Sequence, residues 1–76
     1  MDIKSRIAAR IRALREEKNL TQQELAWKSE VDRSFMSHAE SGLRNISIDT
    51  LNKIINGLEI SFKEFFDDAA FDNGKK

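Results

Sequence analysis

Arg33, Ser34, Ser37, His38 and Ser41 fall on one arc when residues 33–41 are turned at about 100° per residue, the angular step of an α-helix. Phe35, Met36 and Ala39 gather on the opposite side. A generally solvated helix face is built mostly from Lys and Glu. This one offers small hydroxyls, one guanidinium and one imidazole, groups suited to close approach to base edges in a DNA major groove. A guanidinium there can donate two hydrogen bonds to one guanine, and a hydroxyl can serve as donor or acceptor to any base. Arg33 is the foremost residue for base readout, with a phosphate contact as its competing role. Ser34 and Ser37 either touch bases, directly or through water, or are simply small enough to let the helix come close. His38 is a groove-edge residue or merely exposed. The plain alternative for the whole arc is the polar outside of an ordinary helical bundle.

Other chemistry has little support. The chain holds one His and no Cys, and no carboxylate cluster at metal-ligand spacing accompanies that His. No glycine-rich phosphate loop occurs. No catalytic residue, metal or cofactor is therefore expected, and the chain is not read as an enzyme.

Presenting the arc requires a helix that starts just before Arg33 and stops just after Ser41. Asp32 is an N-cap candidate and Gly42 a stop signal. Upstream, Thr21 and Glu24 have the spacing of a capping box, which opens a helix over 22–29 with Leu25, Ala26 and Ser29 on a narrow buried face. Joined through Glu30–Val31, the two helices read as a helix-turn-helix. Before them, Ile3, Ile7, Ile11 and Leu14 predict a first helix from about residue 3 to residue 18. Arg6, Arg10, Arg12 and Arg15 flank that stripe, and Arg6 and Arg10 are assigned to an ordinary solvated face. A fourth helix is expected over 48–56, with Leu51, Ile54 and Ile55 inward and Gly57 as a left-handed C-cap. A fifth is expected over 62–69, carrying Phe62, Phe65 and Phe66, followed by a frayed tail at 70–76.

Four helix starts share one pattern: an apolar residue, a cap, and an apolar residue four beyond the cap. They are Leu20/Thr21/Leu25, Val31/Asp32/Met36, Ile46/Ser47/Leu51 and Ile60/Ser61/Phe65. Each flanking pair can close as a hydrophobic staple that sets how the chain approaches its helix. The expected fold is all-α, a compact five-helix bundle with the helix-turn-helix formed by helices 2 and 3. Residues 1–76 are read as a single domain. Trp27 falls on the outer arc of helix 2 and should be partly exposed.

A chain of 76 residues with no Cys has a small core and no covalent or thiolate-metal staple, and such chains often gain stability by pairing. Phe62, Phe65, Phe66 and Phe71 crowd its end. A homodimer joined through helices 4 and 5 is expected, with Ile48, Leu51, Phe62, Phe65 and Phe66 at the interface. The alternative is that these phenylalanines complete the monomer core. Charge is balanced overall but not along the chain. Residues 1–44 carry nine Lys/Arg against seven Asp/Glu and residues 45–76 four against six, together the thirteen of each sign. The anion-binding surface is thus placed in the first half. No apolar run reaches the roughly 20 residues of a membrane span, and the Arg-rich start is read as a helix rather than a targeting segment. The expected compartment is the cytoplasm.

Gln22, Glu24, Leu25, Ala26, Val31, Met36, Glu40 and Gly42 stand where the lambda-repressor/Cro-type helix-turn-helix family places its Gln, Glu, Leu, Ala, turn aliphatic, helix-3 aliphatic, Glu and Gly. The chain resembles a DNA-binding domain of that family. The resemblance implies a pairing of Arg15 with Glu40, a further contact of Arg15 to the DNA backbone, and a phosphate held by Gln22 at the start of helix 2. Phe35, on the border between the two faces, is assigned a part-core role with an apolar contact to a thymine methyl or sugar. Residues 42–54, GLRNISIDTLNKI, and residues 32–35, DRSF, are similar to one branch, the controller proteins of bacterial restriction–modification systems. There an Arg and an Asn help bind the operator, which implicates Arg44 and Asn45.

The chain departs from the family at three positions: Glu30 where Gly is preferred in the turn, Ala39 for a larger aliphatic, and Ser41 for a frequent basic residue. The expected function is that of a sequence-specific regulator of transcription, binding double-stranded DNA as a homodimer on a palindromic operator, of the controller type. A phage-type repressor or an antitoxin is the runner-up. RNA polymerase is a further candidate partner, and no membrane is involved. From a different class, a helical protein-binding adaptor would need the Arg33–Ser41 arc to be apolar.

Overall fold

Asp2, Thr21, Ser47 and Ser61 each precede an apolar-periodic segment, and each side chain accepts a hydrogen bond from the backbone N–H three residues on, at 2.9 to 3.1 Å. Glu24 and Glu64 reach back to the N–H of Thr21 and Ser61, completing two capping boxes. In the computed structural model, which describes residues 2–72, these caps open α1 (Ile3–Glu17), α2 (Gln22–Ser29), α4 (Ile48–Gly57) and α5 (Phe62–Phe66). The remaining helix, α3 (Arg33–Ser41), starts at Asp32 without a side-chain cap bond. Its start rests on the backbone, where the Met36 N–H donates to the Asp32 carbonyl at 3.0 Å. A 3₁₀ turn, Ala69–Phe71, follows α5.

Three connections use the same three-residue device: a left-handed residue, an apolar residue and a cap. They are Asn19-Leu20-Thr21, Glu30-Val31-Asp32 and Glu59-Ile60-Ser61, with φ of 59°, 60° and 63° at the first residue. Each left-handed residue donates its N–H three residues back, and the next N–H reaches five back, as Val31 does to the Ala26 carbonyl at 3.0 Å. This satisfies carbonyls that the helix end would leave open. Glu30 is indeed left-handed and bears a cost on the order of 1 kcal/mol for having a Cβ there. Gly42 closes α3 in the same way at φ 80°. The residues before the caps, Leu20, Val31, Ile46 and Ile60, pack on the core, while Leu25, Met36, Leu51 and Phe65 are buried. With Ile11, Leu14, Ala26, Ile54, Ile55 and Leu58 they form one apolar cluster. Ala39 is buried, Met36 is fully buried in the cluster and Phe35 packs against it.

The end of the chain differs from the sequence-based expectation. Helix α5 stops at Phe66, not residue 69, because the chain leaves helical geometry at Asp67 and turns. Within the expected tail, Phe71 lies in the 3₁₀ turn and comes back onto the core, its ring 4.8 Å from that of Phe66. Residues 73–76 of the expected tail lie outside the described residues. At the other end Ile3, placed on the apolar stripe of α1, is 55% exposed because that stripe outruns the core. Trp27 is exposed, as its place on the outer arc requires.

Gly57 corrects a second expectation. It is not a left-handed cap but the buried last residue of α4, and the left-handed position falls two residues later at Glu59. A Cβ at Gly57 would lie 2.4 Å from Ser29 Oγ and 3.1 Å from the Ser29 backbone nitrogen. The glycine lets the ends of α2 and α4 touch. Across the same junction Lys28 Nζ donates to Glu59 Oε2 at 2.8 Å, which holds the Glu59 carboxyl below the usual carboxylate range. Gly57→Ala should therefore destabilise the domain by roughly 1–3 kcal/mol through overpacking, despite alanine's better helix propensity. Ser29→Ala should instead raise stability by about 1 kcal/mol, since its buried hydroxyl has no hydrogen-bond partner among the described residues. Urea unfolding of both variants checks the pair; a Gly57→Ala domain as stable as the parent would refute the close-contact account.

Candidate nucleic-acid interface

Helix α3 buries Met36, Ala39 and Glu40 and leaves Arg33, Ser34, Ser37 and His38 exposed. These four line one shallow polar depression on the surface, as the helical arc required. Ser41, on the same arc, is exposed, and its hydroxyl donates to the His38 carbonyl at 2.9 Å, within its own helix.

The rotation of α3 about its axis is set by a carboxylate. Glu40, with its side chain 3% exposed, receives Arg15 Nε on Oε2 at 2.7 Å and Arg15 Nη2 on Oε1 at 3.1 Å. The Gln22 amide also donates to Oε1, at 3.2 Å. Arg15 Nη1 donates to the Leu20 carbonyl at 2.8 Å, so the guanidinium also holds the turn between α1 and α2. One carboxylate thereby ties α1, α2 and α3 together. The two-point Arg–carboxylate fork fixes orientation as well as distance, which a single contact would not. Gln22 stands in the first turn of α2, half-buried, with one amide hydrogen committed to Glu40.

The segment after α3 joins the same region. The Arg44 guanidinium lies 5.4 Å above the centre of the Phe35 ring, within cation–π range, so the linker is held to α3 by a residue of the α3 border. Arg44 and Asn45 are exposed and line a narrow cleft with Ile3, Lys4, Ile7 and Ile46. Lys4 was absent from the sequence-based site. Nothing in its local pattern separates it from a solvated lysine; only the docking of α1 beside the linker brings it to Arg44.

Two further assignments need correction. Leu51 and Phe65, expected at an interface between copies, are 2% and 0% exposed and belong to the core of the single chain. Neither has surface left to share. Ile48, Phe62 and Phe66 remain exposed, at 71%, 38% and 37%. Arg10, expected on a solvated face, is instead largely covered: Nε donates to the Phe65 carbonyl at 2.7 Å and Nη2 to the Glu64 carbonyl at 2.8 Å.

The helix-turn-helix family model matches residues 11–65. The control protein C.MunI of a Mycoplasma species is 41% identical over 68 residues, covering 88% of this chain and 92% of that protein. The control protein C.BamHI of Bacillus amyloliquefaciens is 33% identical over 55 residues, covering 72% and 68%. Among solved structures, the restriction–modification controller protein C.Esp1396I, crystallised as a tetramer in complex with its natural 35 base-pair operator, superposes with a TM-score of 0.84 at 39% identity. That match covers 87% of each chain.

Proposed function

Since the chain belongs to the helix-turn-helix family and has controller proteins of restriction–modification systems among its relatives, we propose that it is a sequence-specific, double-stranded DNA-binding regulator of transcription of the controller type. The observation that carries this reading is the exposed α3 arc of Arg33, Ser34, Ser37 and His38 on a helix locked by Glu40, Arg15 and Gln22. An adaptor for another protein would need an apolar arc there. On the family's docking geometry, α3 enters the major groove with its first turn nearest the base edges. In this reading Arg33 takes guanine, Ser34, Ser37 and His38 take neighbouring edges, and Arg44, Asn45 and the start of α2 at Gln22 take the flanking phosphates. Phe35 lies at the sugar edge and orients Arg44.

The functional unit is a homodimer on a two-fold operator, joined through the exposed apolar residues Ile48, Phe62 and Phe66 of α4 and α5. Identical patches then meet in a closed interface, and the two recognition helices sit about 34 Å apart, in successive major grooves. No helix among the described residues is long and apolar enough to cross a membrane, and the site of action is the cytoplasm, with RNA polymerase as the machinery the bound dimer meets at a promoter.

Arg33→Ala should weaken binding to the cognate operator by roughly 1–3 kcal/mol more than binding to random duplex, the value of one bidentate base contact. Footprinting of the DNA upstream of the protein's own gene would locate the operator, and competition titrations then compare the two duplexes at fixed salt. Equal losses on both would move Arg33 to the phosphate-contacting residues. No protected site and no retardation of any duplex would defeat the DNA-binding reading itself.

A further inference from the structure

Helix α5 spans five residues, too short to hold its shape without support from the rest of the fold. Its start is secured locally by the Ser61–Glu64 capping box and by Ile60 against the core. Its end is closed by backbone bonds, Asp67 N–H to the Glu64 carbonyl at 3.2 Å and Asp68 N–H to the Phe66 carbonyl at 3.0 Å, where the chain leaves helical geometry at Asp67 (φ −85°, ψ 74°). Phe65 is the one buried side chain of α5. A single buried anchor fixes where the helix lies but leaves it free to rock about that point.

The second anchor comes from α1. The Arg10 guanidinium donates to two successive carbonyls at the end of α5, Glu64 at 2.8 Å and Phe65 at 2.7 Å, with Asp68 Oδ2 4.0 Å from Nη1. Among the described residues, these are the side-chain hydrogen bonds that α5 receives from another helix. The planar fork matches two adjacent acceptors, and its charge strengthens both bonds. With its side chain 17% exposed and two of its N–H groups committed to α5, Arg10 is not a general solvated cation. On the outer side of the same short helix stand Phe62 and Phe66, their rings 6.2 Å apart and each more than a third exposed.

We infer that Arg10 is a positioning residue for pairing of the chain, holding the end of α5 so that Phe62 and Phe66 are presented at the angle a second copy can meet. This rests on the homodimer proposed above. In a two-fold interface any rocking of α5 appears on both sides, so a small loss of orientation disturbs a self-complementary contact twice. The recognition helices are held by a different side-chain network, around Glu40, and do not depend on Arg10.

The test uses the full chain and the variants Arg10→Lys, Arg10→Ala and Phe62→Ala. Arg10→Lys keeps the charge but loses the fork, so it separates geometry from electrostatics; should Arg10→Ala not fold, it carries the test. Sedimentation equilibrium should show the Arg10 variants pairing about tenfold or more weakly than the parent, a loss comparable to that of Phe62→Ala. Hydrogen exchange should quicken across residues 62–71 while residues 22–41 keep their protection, and the intrinsic affinity of the monomer for a single half-site duplex should not change. Arg10 variants that pair as tightly as the parent would overturn the inference and leave the dimer standing. Uniform loss of protection in Arg10→Lys would make Arg10 a plain stability residue and overturn it too. A parent chain that stays monomeric at high micromolar concentration and on its operator would overturn the dimer and the inference together.

Discussion

Glu40→Ala should destabilise the domain by roughly 3–5 kcal/mol, enough to threaten folding of a chain whose total stability is of order 5–15 kcal/mol. The reason is what stays behind. With the Glu40 side chain 3% exposed and that of Arg15 13% exposed, removing the carboxylate leaves a guanidinium nearly out of water with the longer 3.9 Å pairing to the exposed Glu16 as its remaining ion pair, and Gln22 loses its acceptor. The intact pair need not be worth this much against a well-packed apolar substitute, since taking both charges out of water costs about what their attraction returns. The double variant Arg15→Met/Glu40→Leu should therefore be less damaged than Glu40→Ala. Urea unfolding of a double-mutant cycle with alanine at both positions measures the coupling. A coupling energy near zero would mean that the short contact of Arg15 with Glu40 does not orient α3.

Phe65→Ala and Phe62→Ala should differ sharply although the two residues are neighbours on one short helix. Phe65 is fully buried and touches the rings of both Phe66 and Phe71, with centroids 4.9 and 6.0 Å away. Its truncation opens a cavity under α5 and should cost roughly 3–5 kcal/mol. Phe62 keeps 38% of its surface in solvent, so the same change should leave the monomer folded and fall mainly on association between copies. Circular dichroism melts with sedimentation equilibrium on both variants separate the outcomes. A Phe65→Ala domain as stable as the parent would contradict its place in the core. A Phe62→Ala protein that pairs like the parent would remove Phe62 from the interface and weaken the proposal that α5 forms it.

The two helices of the helix-turn-helix were legible in the sequence because their limits are set by contacts a few residues long. Thr21 and Glu24 cap each other across three residues, and the staples at Leu20/Leu25 and Val31/Met36 span five. The expected spans 22–29 and 33–41 are those observed. The polar arc of α3 followed from helical rotation alone. The grip of Arg15 on Glu40 did not: the residues are 25 apart in the chain, and only resemblance to a family singled out that partner.

Tertiary structure decided the rest, for reasons of distance along the chain. A glycine after a helix pattern looks like a left-handed cap, but Gly57 is small because Ser29 of another helix lies against it. An arginine on α1 looks solvated until the end of α5, 55 residues later in sequence, is brought against it. Four late phenylalanines look alike, yet packing takes Phe65 inward, folds Phe71 back and leaves Phe62 and Phe66 outside. Caps and turns are local energies, written within one helical turn of sequence. Which surface a glycine, an arginine or a phenylalanine meets depends on how whole helices dock, and no short window contains that.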